Sequence, residues 1–150
     1  MTENSIYKLE EILSNKNILF VGIGNALKSD DAIGIYIVNN IKRTSQRDTL
    51  IVESGIEKFV GKINSLDPKI LILVDCTDFN EEPGFIDFLP IERVQDFTIN
   101  THTISVKRIS EFFKMKTYLL GIQPENVKFG ETISERVLSS AEILIKKINE

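Results

Sequence analysis

Apolar runs of strand length alternate along this chain with segments in which apolar residues recur every three or four positions. The continuous runs predict buried β-strands, and they cover residues 17–23, 49–54, 69–77 and 117–122. The periodic segments predict helices, and they extend over residues 5–15, from about Ser29 to Ile41, from Ile56 to Ile63, from about His102 to Phe113 and from Ile133 to Ile148. Two shorter segments, residues 84–90 and 97–100, predict brief strands. The first of these follows a strand without room for a helix, so we expect it to lie antiparallel at an edge of the sheet.

This alternation predicts an α/β fold with three layers. Strands that alternate with helices favour a twisted, mostly parallel sheet with helices on both faces, here an α/β/α arrangement with about five strands. A chain of 150 residues is of ordinary size for one domain, and we predict a single domain over residues 1–150. Ligands of such sheets bind beyond the carboxyl ends of the strands, which is where candidate functional residues are sought.

The first predicted strand runs into the glycine-rich segment GIGNALKSDDAIG, residues 22–34. Gly22 and Gly24 supply two glycines of the dinucleotide-binding pattern GxGxxG, but the third position is leucine. The adjacent carboxylates of Asp30 and Asp31 would repel a phosphate, so a Rossmann-type nucleotide-binding module is a weak alternative. As ordinary structure, the two carboxylates would stabilise the start of the helix, with the preceding serine as N-cap.

Two further polar residues lie at the ends of predicted strands. Asp75 ends the apolar run KILILV, and because a buried carboxylate without a partner is costly, its side chain must meet solvent, a donor or a cation. His102 is the only histidine and follows the brief strand at residues 97–100. Together with Asp30 or Asp31, these residues make an oxygen and nitrogen ligand set suited to nickel, zinc or iron. The structural alternatives are that Asp75 caps the following loop and that His102 caps a helix.

Cys76 offers a different chemistry, a thiol nucleophile with His102 as its base. Adjacent strand residues point to opposite faces of a sheet, so Cys76 should face a helix layer if Asp75 faces the site. We therefore interpret Cys76 as a buried structural cysteine. Because it is the single cysteine of the chain, an internal disulfide and a multi-thiolate metal site are also excluded.

Charge and hydropathy narrow the range of partners. The formal net charge is -4, which gives no electrostatic reason to expect nucleic acid or an acidic membrane surface. No apolar segment approaches the length of about 20 residues that a membrane span needs, and the first residues lack the apolar core of a signal peptide. We predict a cytoplasmic protein that neither binds nucleic acid nor inserts into a membrane.

Four sequence blocks resemble, in the same order, those of the hydrogenase maturation endopeptidases, which trim the large subunit of nickel-iron hydrogenases. The blocks are GIGNALKSDDAIG, similar to the family pattern GxGNxLxxDDxxG, then ILVDCTDFNEEPG, NTHTIS and LLGIQPENVKFGETIS. The last two look most similar to the formate-hydrogenlyase-type branch. The chain departs from the family after the second strand, where Gly55 is followed by Ile56 and not by threonine, which leaves open the precursor tail that it accepts.

The resemblance implies a function and a role for each candidate residue. It places metal contacts at Asp31, Asp75 and His102 and implies that the metal is nickel, supplied by the precursor into which it is already inserted, with zinc or cadmium as a surrogate. Cleavage would release a short C-terminal peptide. Because the chain offers no Ser-His-Asp pattern, we expect an aspartyl-type or metal-assisted peptidase that uses water, with Asp31 as base. Asp30 is left with the helix-capping role.

Two other interpretations stay open. A non-catalytic nickel-sensing chaperone would bind the same precursor through the same three ligands, and a Rossmann-type nucleotide-binding module is less favoured. Loss of a C-terminal peptide from a nickel-loaded precursor distinguishes the protease from the chaperone.

Overall fold

The computed structural model describes residues 1–94 and 106–150, and these contain a sheet of five strands. The strands are β1 Ile18–Ile23, β2 Arg47–Glu53, β3 Ile70–Cys76, β4 Ile86–Pro90 and β5 Lys116–Ile122. Their order across the sheet is β2-β1-β3-β5-β4. Neighbouring strands are parallel except for β4 and β5, which are antiparallel. The predicted mostly parallel sheet and its antiparallel edge strand are confirmed.

Five α-helices lie in the same described residues. They are α1 Glu3–Leu13, α2 Ile33–Asn39, α3 Val60–Leu66, α4 Val106–Ser110 and α5 Glu135–Asn149. The second helix begins later than predicted because a 3-10 turn, Ser29–Ala32, precedes it, and Ile41 lies beyond its end. The predicted strand at residues 97–100 and the predicted helix start at His102 lie outside the described residues.

Side chains of the sheet alternate between two apolar cores, one on each face. On one face, residues of α1, α2 and α5 pack with Ile72 and Val74 of β3. On the other face, residues of α3 and α4 pack with Leu71 and Leu73 of the same strand. The predicted three-layer α/β/α architecture is confirmed. Within the described part of the chain, no helix combines the length and the apolar composition of a membrane span.

Candidate functional site

Asp31 lies in the 3-10 turn Ser29–Ala32, beyond the carboxyl end of β1. Its side chain is only 3% exposed, and its Oδ2 accepts a hydrogen bond of 3.0 Å from the backbone N–H of Asn25. Gly24 permits this return of the chain, because its φ is +144° and a Cβ there would lie 1.9 Å from the carbonyl oxygen of Asp31. The glycine-rich segment therefore folds around its own aspartate.

Asp75 lies at the carboxyl end of β3, and its side chain is 1% exposed. Its Oδ1 accepts a hydrogen bond of 2.8 Å from the backbone N–H of Cys76. Because Ile72, Val74 and Cys76 belong to the core that contains α1, α2 and α5, the alternation of the strand turns Asp75 toward the opposite face. The prediction that Cys76 faces a helix layer is confirmed.

The structure brings these two carboxylates to the same end of the sheet. Strands β1 and β3 are parallel neighbours, so their carboxyl ends lie side by side. Gly34, which follows Asp31 closely, packs against both ends: a Cβ on it would lie 2.5 Å and 2.3 Å from carbonyl oxygens of β1 and β3. After burial, the charges of Asp75 and Asp31 further raise the pKa of the Cys76 thiol. Asp30 and Asp78 act on this thiol in the same direction, so this end of the sheet is rich in negative charge.

His102, the third predicted ligand, lies outside the described residues, so its place beside the carboxylates stays a prediction. In residues 1–94 and 106–150, no group of three or more His, Cys, Asp or Glu side chains is arranged to hold a metal ion. The buried carboxylates of Asp31 and Asp75 fit the oxygen part of the predicted ligand set. A metal contact at this end of the sheet needs a further donor, either from His102 or from a substrate.

Asp30 is fully buried and joins the 3-10 turn to the segment that follows β5. Its Oδ2 accepts hydrogen bonds from the backbone N–H groups of Glu125 and Asn126 and from the Ser134 hydroxyl, and its Oδ1 accepts one from the Ser134 N–H. The predicted helix-capping role of Asp30, with Ser29 as N-cap, is wrong, because neither residue caps the turn or α2. The partners of Asp30 lie 95 to 104 residues away, and a local sequence pattern does not reveal them.

Gln123 is a buried polar residue that the sequence interpretation missed. It follows β5 directly, and its Oε1 accepts hydrogen bonds of 2.6 Å from Phe79 N–H and 3.3 Å from Glu81 N–H. Its Nε2 donates to Oδ1 of Asp78 at 3.2 Å. Gln123 thus organises the loop that follows β3. The signal that selected Asp75, a polar residue at the end of an apolar strand, was also present at Gln123.

Cys76 is fully buried, as predicted. Burial, followed by the negative charges of Asp75 and Asp31, raises the pKa of its thiol far above the ordinary value. The thiolate is the reactive form of cysteine, and a thiol with this pKa stays protonated at neutral pH. The structure therefore supports a structural cysteine and not a nucleophile.

Native protein is expected to resist alkylation at Cys76. Iodoacetamide attacks exposed thiolates, so at mildly alkaline pH the intact mass should stay constant in the folded state. In concentrated urea the same protein should gain one adduct, because the chain has a single cysteine. Labelling of the folded protein at the rate of a free small thiol would bring back the thiol-nucleophile alternative.

Comparison with known proteins indicates a peptidase. The sequence model of the hydrogenase maturation protease family matches residues 35–150. The chain is similar to the hydrogenase 3 maturation protease of Escherichia coli, with 24% identity over 84% of this chain and 85% of that protein. It is also similar to the crystal structure of the NiFe hydrogenase maturation protease HycI from Thermococcus kodakarensis, with a TM-score of 0.81 and 27% identity over 95% of this chain and 96% of that one.

The same fold occurs in the hydrogenase maturating endopeptidase HybD from Escherichia coli, with a TM-score of 0.75 and 22% identity over 88% of this chain and 89% of that one. The family model and the similar proteins place this three-layer α/β chain in a class of peptidases. The chain itself belongs to the hydrogenase maturation protease family. Asp75 and His102 lie within the residues that match the family, whereas Asp31 precedes them.

Proposed function

We propose that this peptidase removes a short C-terminal peptide from the nickel-loaded precursor of a nickel-iron hydrogenase large subunit. The observation that carries the proposal is the convergence of two buried carboxylates, Asp31 and Asp75, at one end of the sheet in a chain of this family. The choice of a nickel-iron enzyme is supported by the similar Thermococcus kodakarensis protein, which is a NiFe hydrogenase maturation protease. We propose the cytoplasm as the place of this reaction.

The proposed roles follow from the chemistry of the side chains. Asp31, Asp75 and His102 would contact nickel that the precursor carries, since carboxylate and imidazole are ligands that nickel and zinc accept. Zinc or cadmium in the precursor is proposed as a surrogate. Asp31 would take a proton from the attacking water, and the nickel would act as a Lewis acid. An aspartyl-type reaction assisted by the substrate's own metal fits a site whose nearby thiol is protonated.

The contacts of the glycine-rich turn argue against nucleotide binding. In a dinucleotide site, the N–H groups of such a turn bind phosphate. Here the Asn25 N–H donates to the carboxylate of Asp31, and the space beside Gly24 is filled by the Asp31 carbonyl group. Asp31 thus occupies both the backbone donor of this turn and the free space beside its glycine. A non-catalytic chaperone is less favoured, because the similar proteins of Escherichia coli and Thermococcus kodakarensis are named as maturation proteases.

The direct test is incubation of the purified protein with a nickel-loaded large-subunit precursor, followed by intact-mass measurement. We expect the precursor to lose one C-terminal peptide, and we expect a precursor prepared without nickel to stay intact. The protein with Asp31→Asn serves as the control for contaminating proteases. Stable binding of the nickel-loaded precursor without a loss of mass would support the chaperone and contradict the proposal.

A further inference from the structure

The segment between β5 and α5, residues 123–134, includes most of the fourth sequence block and has no role in the proposed chemistry. The two candidate carboxylates, Asp31 and Asp75, come from loops and strands that are distant in sequence. The pairing of β1 with β3 brings them to the same end of the sheet, and contacts that join the loop after β1 to the loop after β3 restrain their separation further. Residues 123–134 make hydrogen bonds with both loops.

The loop after β1 is tied to this segment at several points. Asp30 accepts four hydrogen bonds from it, and the backbone N–H of Asp30 donates to the carbonyl oxygen of Asn126 at 3.2 Å. The carbonyl oxygen of Leu27 accepts a hydrogen bond of 2.7 Å from the Gly130 N–H. Because Asp31 is covalently joined to Asp30, these bonds restrain the backbone that carries the candidate base.

The loop after β3 is tied to the beginning of the same segment. The side chain of Gln123 accepts from two backbone N–H groups of this loop and donates to Asp78. Its backbone carbonyl also accepts from the Gly84 N–H at 2.9 Å. Just before it, the carbonyl oxygen of Ile122 accepts from the Thr77 N–H at 2.9 Å. The chain on the carboxyl side of Asp75 is thereby held against the end of β5.

We propose that residues 123–134 are a positioning frame, which sets the geometry between Asp31 and Asp75 through two positioning residues, Asp30 and Gln123. Reacting groups must be held within about 0.5 Å of their working geometry, and a buried polar network is rigid when its hydrogen bonds are satisfied. The inference rests on the proposed function, because the frame holds the groups of that site. Neither positioning residue needs to touch the substrate.

Two near-isosteric variants test the frame. Asp30→Asn replaces one accepting oxygen by an amide NH2 group, which cannot accept from the donors around it. Gln123→Met keeps the length of the side chain and removes its three hydrogen bonds. Each variant is expected to lower kcat for precursor processing by about 10- to 100-fold, because small misplacements of reacting groups are costly. KM should change by less than about threefold, since contacts with the precursor remain.

Two controls separate positioning from general stability. Ile148→Val shortens a buried side chain of α5 far along the helix from the frame, so it should lower Tm without lowering kcat. Ser134→Ala removes only one of the four donors to Asp30, its hydroxyl, and should give a smaller loss of kcat than Asp30→Asn. Activities are compared at a temperature where each variant is folded, as judged by circular dichroism.

Amide hydrogen exchange of the protein alone supplies a readout that does not depend on proteolysis. Asp30→Asn should accelerate exchange in residues 25–31 and leave residues 77–81 unchanged. Gln123→Met should accelerate exchange in residues 77–81 and leave residues 25–31 unchanged. If the wild-type protein failed to cleave any precursor, the proposed function would be wrong. The exchange patterns would still test the positioning frame, because they are measured without a precursor. The frame is overturned if exchange in these loops is unchanged, or if kcat falls no further than in Ile148→Val.

Discussion

Replacement of Asp31 by asparagine is expected to lower the rate of precursor processing by about 10²- to 10⁴-fold, the range that a positioned general base contributes. Asparagine has nearly the same shape and retains an oxygen that can accept from the Asn25 N–H, so the turn should keep its conformation. The variant lacks the negative charge that would contact nickel and the basic oxygen that would accept a proton from water. The measurement is the initial rate of peptide release, followed by mass at saturating precursor.

Asp67→Asn is a matched control for this replacement. Asp67 follows α3 as its C-cap, in a left-handed conformation with φ +50° that asparagine also tolerates. Its exposed side chain forms a surface ion pair with Lys114. We expect its activity to equal that of the wild type, because an exposed ion pair contributes little. Asp75→Asn and His102→Ala should share the loss seen at Asp31. A wild-type rate in any of the three would remove that residue from the proposed site.

Gly34→Ala adds one methyl group to α2 and is expected to cause a large loss of stability. The new Cβ would lie 2.3 Å from the Val74 carbonyl oxygen and 2.5 Å from that of Ile23, and both atoms belong to backbone that cannot turn away. Helix and sheet must separate locally, and overpacking of this kind lowers the free energy of unfolding by about 1 to 3 kcal/mol or more. Urea denaturation gives this change from the shift of the midpoint at constant slope.

The matched control is Gly61→Ala, which adds the same methyl group to another helix. No heavy atom lies within 4 Å of a Cβ built on Gly61 in α3, so the helix should gain about 0.5 to 1 kcal/mol. Opposite signs at the two glycines would show that close packing, and not helix propensity, determines the cost at Gly34. A neutral result at Gly34 would contradict the close approach of α2 to the ends of β1 and β3.

The layered fold was predictable because its pattern is local. In β3 every position from Ile70 to Val74 is apolar, which is typical of a strand covered on both faces. The alternation that sends Leu73 to one core and Val74 to the other also sends Asp75 and Cys76 to opposite sides. Rules of this kind use only the order of neighbouring residues, so they applied without knowledge of the tertiary structure.

The connections between loops were not predictable in this way. The sequence predicted that Asp30 begins a helix and that its carboxylate stabilises the helix N-terminus. Its carboxylate instead accepts hydrogen bonds from the segment before α5. Gln123 follows an apolar strand, but no local pattern shows that its side chain organises the loop after β3. The hydrogen bonds of Asp30 and Gln123 depend on partners that the sheet brings close in space. Because many different partners can satisfy one buried polar group, the sequence does not identify which partner each side chain has.

By itself, the sequence determined the order of strands and helices, the burial of Cys76 and the position of Asp31 and Asp75 at strand ends, because periodicity and alternation act over a few residues. Only the tertiary structure decided that Gly24 makes room for the Asp31 carbonyl group and that the Asp30 carboxylate accepts hydrogen bonds from Glu125, Asn126 and Ser134. The contacts of Asp30 join segments about a hundred residues apart. These hydrogen bonds can form only after the parallel strands have paired. The positions of the Asp31 and Asp75 carboxylates relative to each other are therefore determined by the folded chain.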